Sequence, residues 1–194
     1  MMRYFIYLLI LFNSSYLSAQ VNNSEKNESL AFWNSLTKLC DKAYSGEVIE
    51  APENDSFRGQ DLIMHVRSCD ADTIKIPFFV GDDKSRTWVL TRVNDRILLK
   101  HDHRHEDGSE DEITQYGGMS TNEGLANLQM FPADQETSTL IPAASTNVWW
   151  IEISDRMYFT YNLRRIGTPR YFSVKFDLTK EVNTPEAPWG WDSN

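Results

Sequence analysis

No run of about twenty apolar residues, the length a membrane-spanning helix needs, occurs in the chain; the clearest apolar run, Tyr4 to Phe12, is about half that. Positive charge is also scarce. The 194 residues carry 19 Lys and Arg against 28 Asp and Glu, a formal net charge of −9. Binding to nucleic acid or to anionic lipid needs clustered cations that displace counterions, so the composition argues against both partners. There is no Gly-x-Ser-x-Gly nucleophile elbow, no Gly-rich phosphate loop and no His-Glu-x-x-His helix, which removes the usual signatures of serine hydrolases, nucleotide-binding proteins and zinc proteases. Nothing repeats at a fixed period. Only two cysteines and four histidines are present, and both sets become informative because they are small.

The short apolar run has a function of its own. Met1, Met2 and Arg3 precede it, Asn13 to Ser15 turn polar, and Leu17-Ser18-Ala19 supplies a small-residue cleavage site before Gln20. This is the layout of a secretory signal peptide over residues 1–19, with the cut expected after Ala19. No cysteine follows the run, so no lipid anchor is expected. Cleavage would remove Arg3 alone among the charged residues, leaving 18 basic against 28 acidic side chains and a net charge of −10. The expected protein is exported, periplasmic or extracellular in a bacterium. In that oxidising setting Cys40 and Cys69 are expected to pair as a disulfide. Residues 20–28 read as a loose polar segment, and residues 29–194 as one domain large enough for a real core.

One helix is expected. Leu30, Trp33, Leu36 or Thr37, Cys40, and Ala43 or Tyr44 recur at helical spacing, with Ser29 as cap and Gly46 as terminator. Beyond it the period is two. The candidate strands span 46–51, 61–69, 73–80, 86–93, 96–105, 111–118, 126–131, 147–154, 156–165 and 170–178, separated by short turns such as Asn94-Asp95 and Gly167-Thr168-Pro169. Connections this short make antiparallel neighbours. About ten sequential strands behind one helix predict a mainly β fold, an antiparallel up-and-down meander closed into a barrel, with a β-sandwich as the alternative.

The turn at Asn94-Asp95 fixes a register. A two-residue hairpin there sets Leu90 opposite Leu99, Trp88 opposite His101 and Arg86 opposite His103. Because side chains alternate, His101, His103 and His105 share the face of Ile97 and Leu99, the better candidate for the interior. Alternate strand residues lie roughly 6.6 Å apart, so a His-x-His pair can share a metal; His101 and His103, with His65 or an acid such as Glu106 as third ligand, are the candidate set for a transition metal. The bland alternative is a polar strand end whose imidazoles bond to Trp88, Arg86 or nearby acids. Arg86 and Arg67 flank apolar strand positions and are candidates to hold a ligand carboxylate.

The blocks Leu39-Cys-Asp-Lys-Ala-Tyr-Ser-Gly46, Met64-His-Val-Arg-Ser-Cys69, Ser85-Arg-Thr-Trp88, Lys100-His-Asp-His-Arg-His-Glu-Asp-Gly-Ser-Glu-Asp111, Phe131-Pro-Ala-Asp134 and Phe176-Asp-Leu-Thr-Lys180 resemble a family of uncharacterised secreted bacterial proteins over nearly all of the mature chain. The pattern of elements also resembles the calycins, the lipocalin, fatty-acid-binding and nitrobindin-like barrels, although the lipocalin Gly-x-Trp at the first strand is missing. Two functions are therefore weighed. One is a binding barrel holding an apolar or haem-like small molecule among Trp88, Trp149, Trp150, Phe159 and Tyr161; the other is a metal-dependent enzyme using His101 and His103.

Overall fold

The Asn94-Asp95 turn sets the register of the hairpin at the centre of the fold. In the computed structural model, which describes residues 27–191, Asn94 takes the left-handed φ of 56° that a tight hairpin requires. The strands on either side, β5 (Asp83–Val93) and β6 (Arg96–His103), pair antiparallel with Leu90 opposite Leu99, Trp88 opposite His101 and Arg86 opposite His103. The expected signal segment and most of the loose segment lie outside the described residues.

The same antiparallel pairing builds the whole sheet. The other strands are β1 (Ala43–Glu50), β2 (Leu62–His65), β3 (Ser68–Cys69), β4 (Thr73–Val80), β7 (Tyr116–Met119), β8 (Leu128–Pro132), β9 (Asn147–Ser154), β10 (Tyr158–Arg165) and β11 (Tyr171–Val182). Their order across the sheet is β7-β6-β5-β4-β2-β1-β11-β10-β9-β8, with β3 beside β4. Most sequential strands are neighbours, the exceptions being β2, which pairs with β4 rather than β3, and β7 and β8, which share no ladder; the antiparallel pairing of β1 with β11 joins the first strand to the last. The result is a nearly closed antiparallel barrel, the calycin-like architecture expected from the meander.

Closure at the β7–β8 seam uses a helix that the sequence reading did not include. Gly118 lies so close to the Pro132 carbonyl that a Cβ there would overlap its oxygen. Beside it, Thr137 Oγ1 accepts from Gly117 N at 2.7 Å and donates to Gly117 O at 2.8 Å, while Asp134 N donates to the same carbonyl at 3.0 Å. Thr137 belongs to α2 (Gln135–Leu140), whose N-cap Asp134 accepts from Thr137 N. Lys100 pins the start of this helix from β6 through Asp134 at 2.9 Å and Glu136 at 2.6 Å. The backbone groups that a full β ladder would pair are thus satisfied by a side chain instead.

The first helix is shorter than its periodicity suggested. Helix α1 runs Glu28–Thr37 and is capped by Asn27, whose side chain accepts from Leu30 N at 2.7 Å. Ser29 is buried inside it, Leu30 is largely exposed, and the packed face is Phe32, Trp33 and Leu36. Cys40 follows the helix in a turn, and Ala43 and Tyr44 belong to β1. Gly46 lies within that strand, where a Cβ would sit 2.5 Å from the Phe176 ring. The apolar spacing continued past Thr37 because a buried strand follows at once. Helix α1 closes the barrel at the β5–β6 turn, with Asn27 donating to Asp95 at 2.8 Å and Arg92 5.9 Å over the Trp33 ring.

The interior is continuous and strongly aromatic, containing Phe78, Trp88, Phe131, Trp149, Phe159 and Phe176 with the aliphatic side chains of β4 to β6. Leu99 is fully buried, so Leu99→Ala should cost about 2 to 5 kcal/mol in denaturant unfolding; a loss below about half a kcal/mol would place Leu99 outside the core. The Cys40–Cys69 disulfide links the turn after α1 to β3 across 29 residues. Its reduction should lower stability by roughly 3 to 4 kcal/mol, measurable as the difference between unfolding curves with and without reductant.

Candidate ligand-binding site

Alternation decides what each strand contributes to the barrel end opposite α1. On β6 the inward positions end in His101 and His103, while Asp102 and Arg104 pair on the other side, Arg104 Nε donating to Asp102 at 3.0 Å. Arg104 also bonds to Gly108 O and Glu110 at 3.3 Å. The acidic half of the His101–Asp111 segment is therefore a structural hairpin turn, with His105 exposed on it. The histidine half faces inward.

Between these strand ends lies a cavity of about 380 Å³. Its inner wall is aromatic: Phe78, Trp88, Tyr116, Trp149, Tyr161 and Phe172. Trp88 stacks between Phe78 at 4.8 Å and Tyr161 at 4.3 Å, and Tyr116 stacks on His101 at 4.5 Å. Phe57, from the loop after β1, stands edge-on to Phe78 and Phe172. Ile141, Ala144 and Leu163 add aliphatic surface, and Arg86, Arg165, Arg170 and Asp55 lie among the remaining lining residues.

The polar groups in this wall are already committed. Tyr116 O can only accept, so His101 Nδ1, 2.9 Å away, carries the ring proton. His101 Nε2 then accepts from the Tyr161 hydroxyl at 2.6 Å. The Tyr116 hydroxyl and His103 Nε2 are 3.1 Å apart. Burial penalises every charged form here. It drives His101 down to about 3 and, with the Arg86 charge as second cause, His103 down to about 4. It pushes Tyr116 up to about 12 and raises Tyr161 well above the ordinary tyrosine value. At neutral pH all four side chains are uncharged, and the cavity's cations are the three arginines.

The sequence candidates divide clearly. Trp88, Arg86, Tyr161, His101, His103 and Trp149 all line the cavity. Phe159 is fully buried in the core, with its ring 6.1 Å from Trp88 and 6.0 Å from Phe176. Trp150 takes the opposite face of β9 from buried Trp149 and Ile151, and stacks on Tyr171 at 5.9 Å. Arg67 does not line the cavity. His65 is buried on β2 with its Nδ1 lacking a hydrogen-bond partner; burial, then Arg67, lowers its pKa against a raising influence from Asp41. It does not join His101 and His103. Among the described residues no group of three or more His, Cys, Asp or Glu side chains is placed to hold a metal ion. Haem ligation through His101 Nε2 would displace its hydrogen bond with Tyr161.

Tyr116, Phe172, Arg165 and Arg170 were not singled out from sequence, although alternation carried the signal for three of them. Arg165 shares the parity of Phe159 and Tyr161, and Arg170 and Phe172 that of Val174 and Phe176. Comparison with family models, curated proteins and solved structures found no match to the chain.

Proposed function

We propose that this chain is an exported protein that binds a small organic molecule in the open end of its barrel. The observation that carries the reading is the aromatic cavity of about 380 Å³, within the size range of small-molecule sites, whose inner polar side chains are bonded to one another and held neutral. A wall of that kind takes apolar rings without leaving a buried donor or acceptor unpaired. The same neutrality favours binding over turnover. A general base works best with a pKa near the operating pH, and His101 at about 3 and His103 at about 4 lie well below it. Export is supported by the expected leader and by the Cys40–Cys69 bond, which suits an oxidising compartment.

Titration with N-phenylnaphthylamine, an uncharged probe that fluoresces in apolar surroundings, tests the reading. Saturable enhancement at one site per chain is expected. Leu163→Trp, which fills the cavity from β10, should weaken it by about tenfold or more, the equivalent of about 1.4 kcal/mol. No saturable signal, or equal binding by a folded Leu163→Trp chain, would count against the proposal. Stoichiometric zinc, iron, copper or manganese in the purified protein would favour the metal-dependent enzyme instead.

A further inference from the structure

The β10–β11 hairpin ends in an arrangement that the fold alone does not explain. Arg165 and Arg170 flank its turn, and the backbone N–H of Arg165 donates to Arg170 O at 3.1 Å. Arg165 lies two residues beyond Leu163 on β10, Arg170 lies exposed two residues before Phe172, and both line the cavity. Like charges opposite each other on neighbouring strands destabilise a sheet. Here the cost is not relieved by an acid: among the described residues neither arginine makes an ion pair. Arg165 Nε donates at 2.9 Å to Asn147 Oδ1, a neutral acceptor, and burial followed by the Arg170 charge lowers the Arg165 pKa. The third arginine differs. Arg86 is paired with Asp83 and lies 5.0 Å over the Phe57 ring.

The nearby acids do not supply the missing partner. Asp55 lines the cavity but accepts from Phe57 N at 3.0 Å. Glu50 lines a second concavity, shared by Arg165 and Arg170 on the outer side of the hairpin, and makes no ion pair with either. Two adjacent guanidinium groups with spare donors therefore stand at the edge of an aromatic cavity, in a chain of net charge −9. An anionic acceptor brought from outside would supply the counter-charge that the protein's own acids do not.

We propose that the ligand is an organic anion, a carboxylate, sulfonate or phosphate on an apolar ring body, with its acid group held between Arg165 and Arg170 and its rings directed toward Trp88 and Tyr161. Guanidinium forks match the oxygen geometry of all three acid groups, and the neutral interior admits the rings while excluding the charge. The assignment rests on the small-molecule reading above and narrows it to one ligand class. It also accounts for the like-charge pair, because the anion supplies the counter-charge that the protein withholds.

Two probes with the same ring systems separate the two levels of the argument. Anilinonaphthalene sulfonate carries the acid group and N-phenylnaphthylamine lacks it. Both are titrated into the wild-type chain and into the double variant Arg165→Gln, Arg170→Gln at physiological salt. The sulfonate is expected to bind the wild type and to lose about tenfold or more in the variant, the loss of at least one charge-assisted contact. The neutral probe should bind both chains within about twofold, a difference of less than half a kcal/mol. The variant should melt no lower than the wild type, since it removes a repulsion. Sulfonate affinity unchanged in the variant, with the neutral probe still bound, would overturn the anion assignment and leave the small-molecule reading standing. A variant that melts well below the wild type would show that the arginines serve the fold, which also overturns it. Failure of both probes to bind the wild type would remove both readings together.

Discussion

Replacing Gly118 with alanine is expected to open the barrel, at a cost on the order of 4 kcal/mol or more, among the largest effects a single substitution produces. The added Cβ would overlap the Pro132 carbonyl, and a backbone oxygen cannot swing aside as a flexible side chain can. To make room, β7 must part from β8. That movement strains the two Thr137 bonds to Gly117 and the Asp134 bond to the same carbonyl, leaving buried groups unsatisfied. Gly59→Ala is the matched control: its φ of 76° is unfavourable for alanine, but no atom lies within 4 Å of the added carbon, so about 1 kcal/mol is expected. Urea unfolding followed by circular dichroism compares them. Equal, small losses for both would mean that the seam is not closed by backbone contact.

The second large effect is a loss of stability on mild acidification. His101 and His103 are held near 3 and 4 in the folded chain, against about 6.5 for a free imidazole. The unfolded chain therefore binds protons that the folded one refuses. Stability from this source is fully present above pH 6.5 and falls as the pH drops toward 4, each ring contributing about 1.4 kcal/mol per pH unit. At pH 5 the two together should have removed about 4 kcal/mol. His65 is shifted in the same direction and adds to the slope. Asp83 and Asp134, whose pKa values lie below the ordinary 3.8, lose their contribution only as the pH falls through and below that value, so the two windows are separable. Unfolding free energies measured at pH 7, 6 and 5 should decline steeply, and His103→Gln should remove about half of the slope. A flat profile from 7 to 5 would place both rings in solvent.

Much of this arrangement was legible in the residues. Asn94-Asp95 fixed the β5–β6 register and with it the pairing of Trp88 with His101 and Arg86 with His103. Alternation also distinguishes Trp149, in step with Ile151 and Ile153, from Trp150, in step with Glu152, although only the packed strand shows which set is buried. Other features depend on contacts between distant segments. Helix α2 has an ordinary Asp134 cap, but its six residues are too few for a periodic signal, and its role in sealing the seam arises where Thr137 meets Gly117. The apolar spacing that lengthened α1 in the sequence reading was the onset of β1, whose Ala43 and Tyr44 are buried. In sequence, Arg165 and Arg170 are charges flanking the Gly167-Thr168-Pro169 turn. Their significance depends on lining one cavity without an acid partner, which no local pattern encodes.

Methyl NMR during titration with N-phenylnaphthylamine measures directly where a small organic molecule binds. Ile141, Ala144 and Leu163 line the cavity, whereas Leu125, Met130 and Met157 are exposed apolar side chains outside it. Saturating shifts confined to the first group, with the second unmoved, are the predicted result. Shifts in Leu125, Met130 or Met157 with Ile141, Ala144 and Leu163 unchanged would contradict it.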